Sequence, residues 1–212
     1  MTRRESPYFP LPCVIFAGGK SSRMGRDKAL LPFGGYPTLA AYQYARLSPL
    51  FTTTYLSAKT AEKFPGTLPV IVDEPALGTF APTAGFLSVL RRLGDERFFA
   101  LSVDTPFVDA SVIAALLAAD RGELDAVIAR TAQGMHPLCG IYHPSLLPRF
   151  EAMADSGDHS LGKMLKNARV VYVDFDDEER FANLNRPEEY AAALKKSATV
   201  CDDSEDQDLK KG

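Results

Sequence analysis

The chain has 212 residues and is 46% hydrophobic, which suits one domain with a packed core. Its acidic excess falls in the last sixteen residues, because residues 1–196 hold 22 acidic and 22 basic residues. Because residues 1–196 carry no net charge, we exclude nucleic-acid or anionic-membrane binding that depends on a largely basic surface.

Short apolar runs alternate with amphipathic stretches along the chain. The apolar runs predict strands at Cys13–Ala17, Thr53–Ser57, Val70–Val72, Phe98–Val103, Ala126–Ala129, Leu138–Tyr142 and Val170–Phe175. The amphipathic stretches predict helices at Thr38–Leu47, Thr83–Leu93, Ala110–Ala119, Ser145–Ala154, Leu161–Lys166 and Pro187–Lys196. Asp109 is the expected cap of the third helix. This alternation predicts an α/β fold, a Rossmann-like three-layer α/β/α sandwich with a mostly parallel central sheet.

We expect residues 1–196 to form one domain and residues 197–212 to form a disordered acidic tail, because the tail is polar and charged. The sequence has no run of 18 apolar residues, so no membrane span is expected. Prolines and Glu5 interrupt the N-terminal stretch where a secretory signal would be apolar. The three cysteines are far apart and form no CxxC pair, so we expect a cytoplasmic protein.

A glycine-rich basic loop over residues 18–28 follows the first predicted strand, where ligands of open α/β sheets bind. The loop has three glycines and four bases against one acid, a local charge of +3. Such a loop can curve its backbone N–H groups around phosphate oxygens, while its bases add charge-assisted hydrogen bonds. A Walker A motif is excluded by Val14 and a GxGxxG motif by Lys20. The alternative is a solvated surface loop.

The string over residues 16–30, FAGGKSSRMGRDKAL, closely resembles the signature of the molybdenum cofactor guanylyltransferases. These belong to the nucleotidyltransferases with a glycosyltransferase-A-like fold, the type also found in nucleotide-diphospho-sugar transferases. The resemblance extends in motif order from about Cys13 to Leu194. It implies that the loop grips a triphosphate through Phe16, Ala17, Gly18, Gly19 and Lys28. It also implies that Arg23 stabilises the pyrophosphate leaving group.

Asp104 follows the fourth predicted strand and is succeeded by Thr105 and Pro106. A carboxylate at a strand end is a hard oxygen ligand that suits Mg²⁺ bound together with substrate phosphates. Taken alone, an Asp-Thr-Pro sequence is more often a capped turn. The resemblance assigns the aspartate to the metal, so we predict that Asp104 binds both Mg²⁺ and nucleotide.

A second group of residues is expected to contact the nucleotide. Asp73 follows the third predicted strand, where the family has a nucleotide-contacting aspartate; the alternative is a helix-cap or turn carboxylate. Ser57 stands where guanylyltransferases often have an asparagine, and it offers only a shorter hydrogen-bonding arm. Ala81 replaces the first glycine of the family's turn. With these two departures, both guanine and cytosine remain candidate bases.

Residues near the end of the chain are candidates for the second substrate. Asn183 and Asn185 resemble the Asn-x-Asn-x-Pro-Glu element of the family, and an asparagine pair could face a metal-bound phosphate or the pterin. The alternative is that the pair ends a strand and caps the helix that begins at Pro187. His136 resembles part of the family's substrate-side strand, although a lone histidine is more often structural.

The predicted function is Mg²⁺-dependent transfer of GMP from GTP to the phosphate of molybdopterin, which releases pyrophosphate and forms molybdopterin guanine dinucleotide. The product could be handed to molybdoenzymes or their chaperones. One alternative is a cytidylyltransferase that acts on molybdopterin or on a sugar or polyol phosphate. Such enzymes commonly have Ala-Ala-Gly after the first strand, whereas this chain has Ala17, Gly18 and Gly19. Another alternative is a catalytically silent nucleotide-binding module in cofactor delivery.

Overall fold

The structure, a computed structural model, describes residues 8–18, 27–64, 66–74 and 82–196. In these ranges seven strands form one sheet in the order β3-β2-β1-β4-β6-β5-β7. They are β1 (Cys13–Phe16), β2 (Thr54–Ala58), β3 (Val70–Val72), β4 (Phe98–Ser102), β5 (Ala126–Thr131), β6 (Gly134–Tyr142) and β7 (Val170–Asp174). Within this sheet β6 alone is antiparallel to its neighbours, while the other pairs are parallel. The predicted mostly parallel sheet is confirmed.

Within the described residues, six α-helices cover the two faces of the sheet. They are α1 (Leu39–Leu47), α2 (Pro82–Leu93), α3 (Ala110–Ala119), α4 (Leu147–Ser156), α5 (Leu161–Lys166) and α6 (187–196). Buried residues of α1, α3 and α6 share one apolar cluster with one face of the strands. Those of α2, α4 and α5 share a second cluster with the other face. The predicted three-layer sandwich is therefore confirmed.

The central strand β1 shows why this sequence forms a sheet buried on both sides. All four of its residues are buried, as expected for a parallel strand with helices on both faces. Cys13 and Ile15 belong to the first apolar cluster, whereas Val14 and Phe16 belong to the second. Successive side chains thus point to opposite faces, and each face gains its own core.

Local signals set the boundaries of the helices. Asp109 accepts hydrogen bonds from the N–H groups of Ser111 and Val112 and so caps α3, as predicted. Thr38 accepts from the N–H of Ala41 and is the cap of α1 rather than its first residue. The helix α6 begins at Pro187, a position where proline is favoured because its missing N–H costs nothing.

The largest difference from the predicted elements lies in β6. The sequence predicts Leu138–Tyr142, whereas the strand begins at Gly134 and forms a hairpin with β5. The pairing register shifts between Ile128 and Ala129, which pair with Gly140 and His136 respectively. Pro137 and this irregularity hide the strand's period-two pattern. Because β6 is reversed, its first residues lie at the same edge of the sheet as the carboxyl end of β4.

The helices of the described ranges include none that is long and apolar enough to cross a membrane. One domain over residues 1–196 remains a prediction, and the predicted tail 197–212 lies outside the described residues.

Candidate active site

The first component of the site is the end of β1. Phe16 and Ala17 are buried, and Ala17 donates its N–H to the Ser57 carbonyl at 2.9 Å. Gly18 is exposed, and a Cβ placed on it would lie 3.9 Å from Oδ2 of Asp73. The backbone at Gly18 therefore passes directly beside that carboxylate. The predicted residues Gly19 and Arg23 lie outside the described residues, as does Ala81.

Lys28 begins the 3-10 turn Lys28–Leu30, where the described chain resumes after the loop. Asp27 caps this turn by accepting from the N–H of Ala29 at 3.1 Å. The other oxygen of Asp27 accepts from Nζ of Lys63 at 2.7 Å, and that ammonium also donates to the Ala17 carbonyl at 3.2 Å. Lys63, which the sequence did not suggest, thus ties the returning end of the loop to the end of β1.

The Lys28 ammonium joins two other predicted residues. It donates to Oδ2 of Asp104 at 2.8 Å and to Oδ1 of Asn185 at 2.6 Å. The side chains of Lys28 and Asp104 are only 15% and 16% exposed, so water screens this ion pair weakly. Ser102 donates its hydroxyl to the other oxygen of Asp104 at 2.6 Å. The carboxylate is thereby fixed from both sides.

One turn and one backbone hydrogen bond bring Asp104 and Asn185 together. Thr105 closes the turn after β4 by donating its hydroxyl to the Ser102 carbonyl at 2.8 Å. The Asp104 carbonyl then accepts from the N–H of Leu184 at 2.9 Å. This backbone hydrogen bond places the segment before α6 against the segment that carries Asp104.

The alternative roles of the asparagine pair are wrong in this structure. Glu189 caps α6, because its Oε2 accepts from the N–H groups of Asn185 at 2.7 Å and Arg186 at 2.9 Å. The Asn185 side chain is thus left to face Lys28. Asn183 does not end a strand, since it follows the 3-10 turn Glu178–Phe181.

Ser57 and Asp73 form a second polar pair at the ends of β2 and β3. Ser57 is 2% exposed and donates its hydroxyl to Oδ1 of Asp73 at 3.5 Å. Burial raises the pKa of Asp73, while the Ser57 hydrogen bond and the lysines Lys59 and Lys63 oppose that change. Ser57 is therefore placed to orient Asp73.

Gly85 in α2 allows Ser57 to adopt this position. A Cβ on Gly85 would approach the Ser57 hydroxyl to 2.8 Å and the Phe16 ring to 3.3 Å. Real Cβ atoms do not come as close as the first distance. A side chain at this position would therefore require the Ser57 hydroxyl, the Phe16 ring or the helix to move.

His136, near the start of β6, lies against an aromatic ring. Its ring stacks on that of Phe181 with centroids 4.6 Å apart, and its Nε2 shares a 3.1 Å hydrogen bond with the Thr131 hydroxyl. Burial lowers the pKa of His136, although Glu178 has a smaller opposite effect. The imidazole is thus neutral near neutral pH.

Two open cavities meet at His136. The smaller, of about 380 Å³, reaches from Asp104 along the irregular part of β6. The larger, of about 610 Å³, extends toward α6. Both are lined by His136, Phe181, Asn183 and Asn185, and both volumes are typical of small-molecule sites. The sequence-predicted acceptor residues therefore lie on one continuous surface that begins at Asp104.

The described residues include no cluster of three or more His, Cys, Asp or Glu side chains that could enclose a metal ion. They do include two oxygens that face one positive charge, Oδ2 of Asp104 and Oδ1 of Asn185. Such a pair suits a hard divalent cation that takes its remaining ligands from substrate phosphates and water.

Comparisons with known proteins identify the family of this chain. The profile of the MobA-like NTP transferase domain family matches residues 13–172. A molybdenum cofactor guanylyltransferase of Campylobacter jejuni (strain 81116) is 35% identical over 85% of this chain and 93% of its own. One from Helicobacter pylori (strain J99) is 32% identical over 87% of this chain and 88% of its own.

Solved structures show the same fold. Molybdopterin-guanine dinucleotide biosynthesis protein A of Archaeoglobus fulgidus superposes with a TM-score of 0.74 at 22% identity, covering 91% of this chain and 100% of that one. A protein of Aquifex aeolicus VF5 superposes with a TM-score of 0.67 at 27% identity, covering 82% and 92%. Together, the profile, the relatives and the sheet place this nucleotidyltransferase in the MobA-like NTP transferase domain family.

Proposed function

We propose that the protein transfers GMP from GTP to the terminal phosphate of molybdopterin and releases pyrophosphate. The observation that carries the proposal is the meeting of Lys28, Asp104 and Asn185 at one point. That point lies between the end of β1, where the basic loop leaves the sheet, and the two cavities beside His136. The names of the relatives support guanine as the base and the molybdenum cofactor as the acceptor.

In the nucleotide half of the site, the loop over residues 18–28 holds the triphosphate. Exposed Gly18 lets the phosphates approach the backbone, and Gly19 is proposed to do the same. Asp73, which Ser57 orients, accepts hydrogen bonds from the donor edge of guanine. In this scheme Ser57 acts through Asp73, because the serine itself is buried.

Asp104 and Asn185 fit a divalent cation of the Mg²⁺ type, because their oxygens already converge on the Lys28 ammonium. When bound, Mg²⁺ would neutralise charge on the phosphate oxygens. Lys28 would then donate to the triphosphate instead of to Asp104. Arg23 is proposed to stabilise the departing pyrophosphate.

In the acceptor half, a phosphate oxygen of molybdopterin attacks the α-phosphorus of GTP. The bond from that phosphorus to the oxygen of the β-phosphate breaks, and pyrophosphate leaves with the electron pair. No general base is required, since a phosphate monoester is largely dianionic above a second pKa of about 6. His136, Asn183 and Asn185 orient the acceptor, so catalysis consists of positioning and charge neutralisation.

We place this reaction in the cytoplasm, with the product passed to molybdoenzymes or their chaperones. The buried free thiols of Cys13 and Cys139 support a reducing compartment.

The experiment incubates purified protein with Mg²⁺, molybdopterin and, separately, GTP, CTP, ATP or UTP. Pyrophosphate release and the mass of the product are measured. We expect release with GTP and formation of the guanine dinucleotide. Release with CTP alone would show a cytidylyltransferase, and release with none of the four would show a silent nucleotide-binding module.

A matched pair of variants links that activity to the site. Asp104→Asn should abolish pyrophosphate release, whereas Asp174→Asn should leave it unchanged, because Asp174 is exposed and pairs with Arg130 at 2.5 Å, away from the site. Omission of Mg²⁺ should have the same effect as Asp104→Asn. Normal transfer by Asp104→Asn would contradict the proposed role of that carboxylate.

A further inference from the structure

A buried glutamine of α1 faces the segment that carries Asp104. Gln43 is fully buried, which is uncommon for glutamine unless its polar atoms are satisfied. Its Nε2 donates to the carbonyl of Val103 at 3.0 Å and, over a longer distance of 3.4 Å, to that of Ser102. Gln43 therefore holds the two peptide groups immediately before Asp104.

Arg46, one turn later in α1, extends this contact to the far side of the same segment. Its Nε donates to Oε1 of Gln43 at 2.6 Å, and its Nη1 donates to the Val108 carbonyl at 2.7 Å. The two side chains thus form one connected chain of hydrogen bonds that ends on carbonyls on both sides of Asp104. Burial lowers the pKa of the Arg46 guanidinium, which shows how far this charge is removed from water.

The same helix is attached to the turn that carries Lys28. The N–H of Leu39, the first residue of α1, donates to the Leu31 carbonyl at 2.6 Å. Leu31 in turn donates its N–H to the Lys28 carbonyl at 3.1 Å. One end of α1 is therefore tied to Lys28, while Gln43 and Arg46 are tied to the segment of Asp104.

We propose that Gln43 and Arg46 are positioning residues that set where Asp104 stands relative to Lys28. This inference rests on the proposed function, in which these two groups act on the same triphosphate. An apolar pair could fill the same space but could not fix the carbonyls of residues 102, 103 and 108. Catalytic groups need placement to within about half an ångström, which packing contacts alone rarely provide.

The test replaces Gln43 with methionine, which has similar length and volume but neither donates to Val103 nor accepts strongly from Arg46. For Gln43→Met we expect kcat to fall about ten- to a hundred-fold, as small misplacements of catalytic groups do. The KM for GTP should stay within about twofold, since the loop and Asp73 are untouched. Gln43→Glu keeps the contact to Arg46 but directs an oxygen at the Val103 carbonyl, so it should also lower kcat.

Arg97→Met is the matched control for loss of a partly buried polar contact. Arg97 pairs with fully buried Asp120 at 2.5 Å and directly precedes β4, at the end of that strand away from Asp104. This control should lower the melting temperature but keep kcat. If Arg97→Met and Gln43→Met lower kcat equally at matched stability, Gln43 has only a structural role and the inference fails.

A double-mutant cycle tests whether Gln43 acts through Asp104. The affinity for Mn²⁺ at saturating GTP is measured for Gln43→Met, Asp104→Asn and the double variant. If Gln43 positions Asp104, its replacement should weaken binding in the wild-type background and change nothing in the Asp104→Asn background. An equal loss in both backgrounds would overturn the inference.

Hydrogen exchange separates failure of this inference from failure of the proposed function. Gln43→Met should speed amide exchange in residues 102–108, and Arg97→Met should not. This result is expected even if the wild-type protein transfers no nucleotide to molybdopterin. Unchanged exchange together with unchanged kcat in Gln43→Met would refute the positioning role while leaving the nucleotidyl-transfer proposal intact.

Discussion

Lys28 and Asp104 are 76 positions apart in the chain, yet their side chains form an ion pair of 2.8 Å at the centre of the candidate site. The same ammonium reaches Oδ1 of Asn185 at 2.6 Å. The Lys28 ammonium thus joins the segments that carry Lys28, Asp104 and Asn185. A bound nucleotide and its cation would replace this arrangement by taking over both the ammonium and the oxygens.

Replacing Lys28 should strongly reduce the rate of nucleotidyl transfer and preserve the fold. Lys28→Ala removes the cation proposed to face the triphosphate, so we expect kcat/KM to fall by about 10²- to 10³-fold, as for other electrostatic contacts to a transition state. The turn itself should persist, because Asp27 caps it through the N–H of Ala29. Steady-state pyrophosphate release and thermal unfolding measure the two effects. Lys163→Ala is the control, since that side chain is 70% exposed; similar losses in both variants would contradict the prediction.

Affinity for GTP should weaken in acid because of Asp73. Burial raises the pKa of this carboxyl above its ordinary value of 3.8, so it protonates at a higher pH than an exposed aspartate does. Below that pKa, binding that requires the carboxylate should weaken about tenfold per pH unit. The measurement is the KM for GTP from neutral to mildly acidic pH. Asp73→Asn should raise the KM at neutral pH and remove its pH dependence.

Through Asp73, a fall in pH should favour protein stability although it weakens GTP affinity. A carboxyl with a raised folded-state pKa stabilises the fold fully below its unfolded pKa and loses that contribution as pH rises through the folded value. Acid should therefore weaken GTP binding without any loss of stability that comes from Asp73. The melting temperature of Asp73→Asn against pH checks this, and an Asp73-dependent loss of melting temperature in acid would contradict it.

A single methyl group at Gly85 should disturb nucleotide binding. Its Cβ would come within 2.8 Å of the Ser57 hydroxyl, so Ser57 should move away from Asp73. We expect Gly85→Ala to raise the KM for GTP about three- to tenfold, comparable to the loss of one hydrogen bond of about 1 kcal/mol. Gly162→Ala in α5 is the control, because its nearest neighbour lies at 3.8 Å. An unchanged KM for Gly85→Ala would exclude this arrangement.

The half-buried His136 and the buried His143, at opposite ends of β6, should differ in function. His136→Ala removes the ring that stacks on Phe181 beside the cavities, so we expect the KM for molybdopterin to rise about tenfold, as for the loss of one aromatic contact. The KM for GTP should not change. His143 lies at the other end of β6 and contacts Asp120 at 2.7 Å, so His143→Gln should affect only stability. A higher molybdopterin KM in His143→Gln alone would reverse these assignments.

Much of the sheet is predictable from the sequence because its strands are continuous apolar runs. The strand Val70–Val72 has the predicted bounds, as does the helix Ala110–Ala119. The direction of β6 is not predictable, because strand direction depends on tertiary packing rather than on local pattern. Its first residues also lack alternation, since Pro137 and the register shift interrupt the pairing there.

Some residues of the candidate site can be predicted from the sequence and others cannot. Lys28, Asp104 and Asp73 follow apolar runs, so their position at the edge of the sheet can be inferred from the sequence. Gln43 and Lys63 could not be found this way, because a polar residue within a helix or a loop carries no signal of what it contacts. Their roles depend on the carbonyls of Val103 and Ala17, which the fold alone brings near.

The hairpin of β5 and β6 has a consequence for how this protein can diverge. Its tip, where the Gln133 N–H donates to the Thr131 hydroxyl at 3.3 Å, forms one wall of the larger cavity. Hairpin tips accept insertions and new side chains without altering the strands that carry them. The acceptor could therefore be exchanged during evolution by remodelling this tip, while the ends of β1 and β4 keep the same phosphate chemistry. Under the proposed function, the nucleotide-binding half and the acceptor-binding half of the site can therefore change independently.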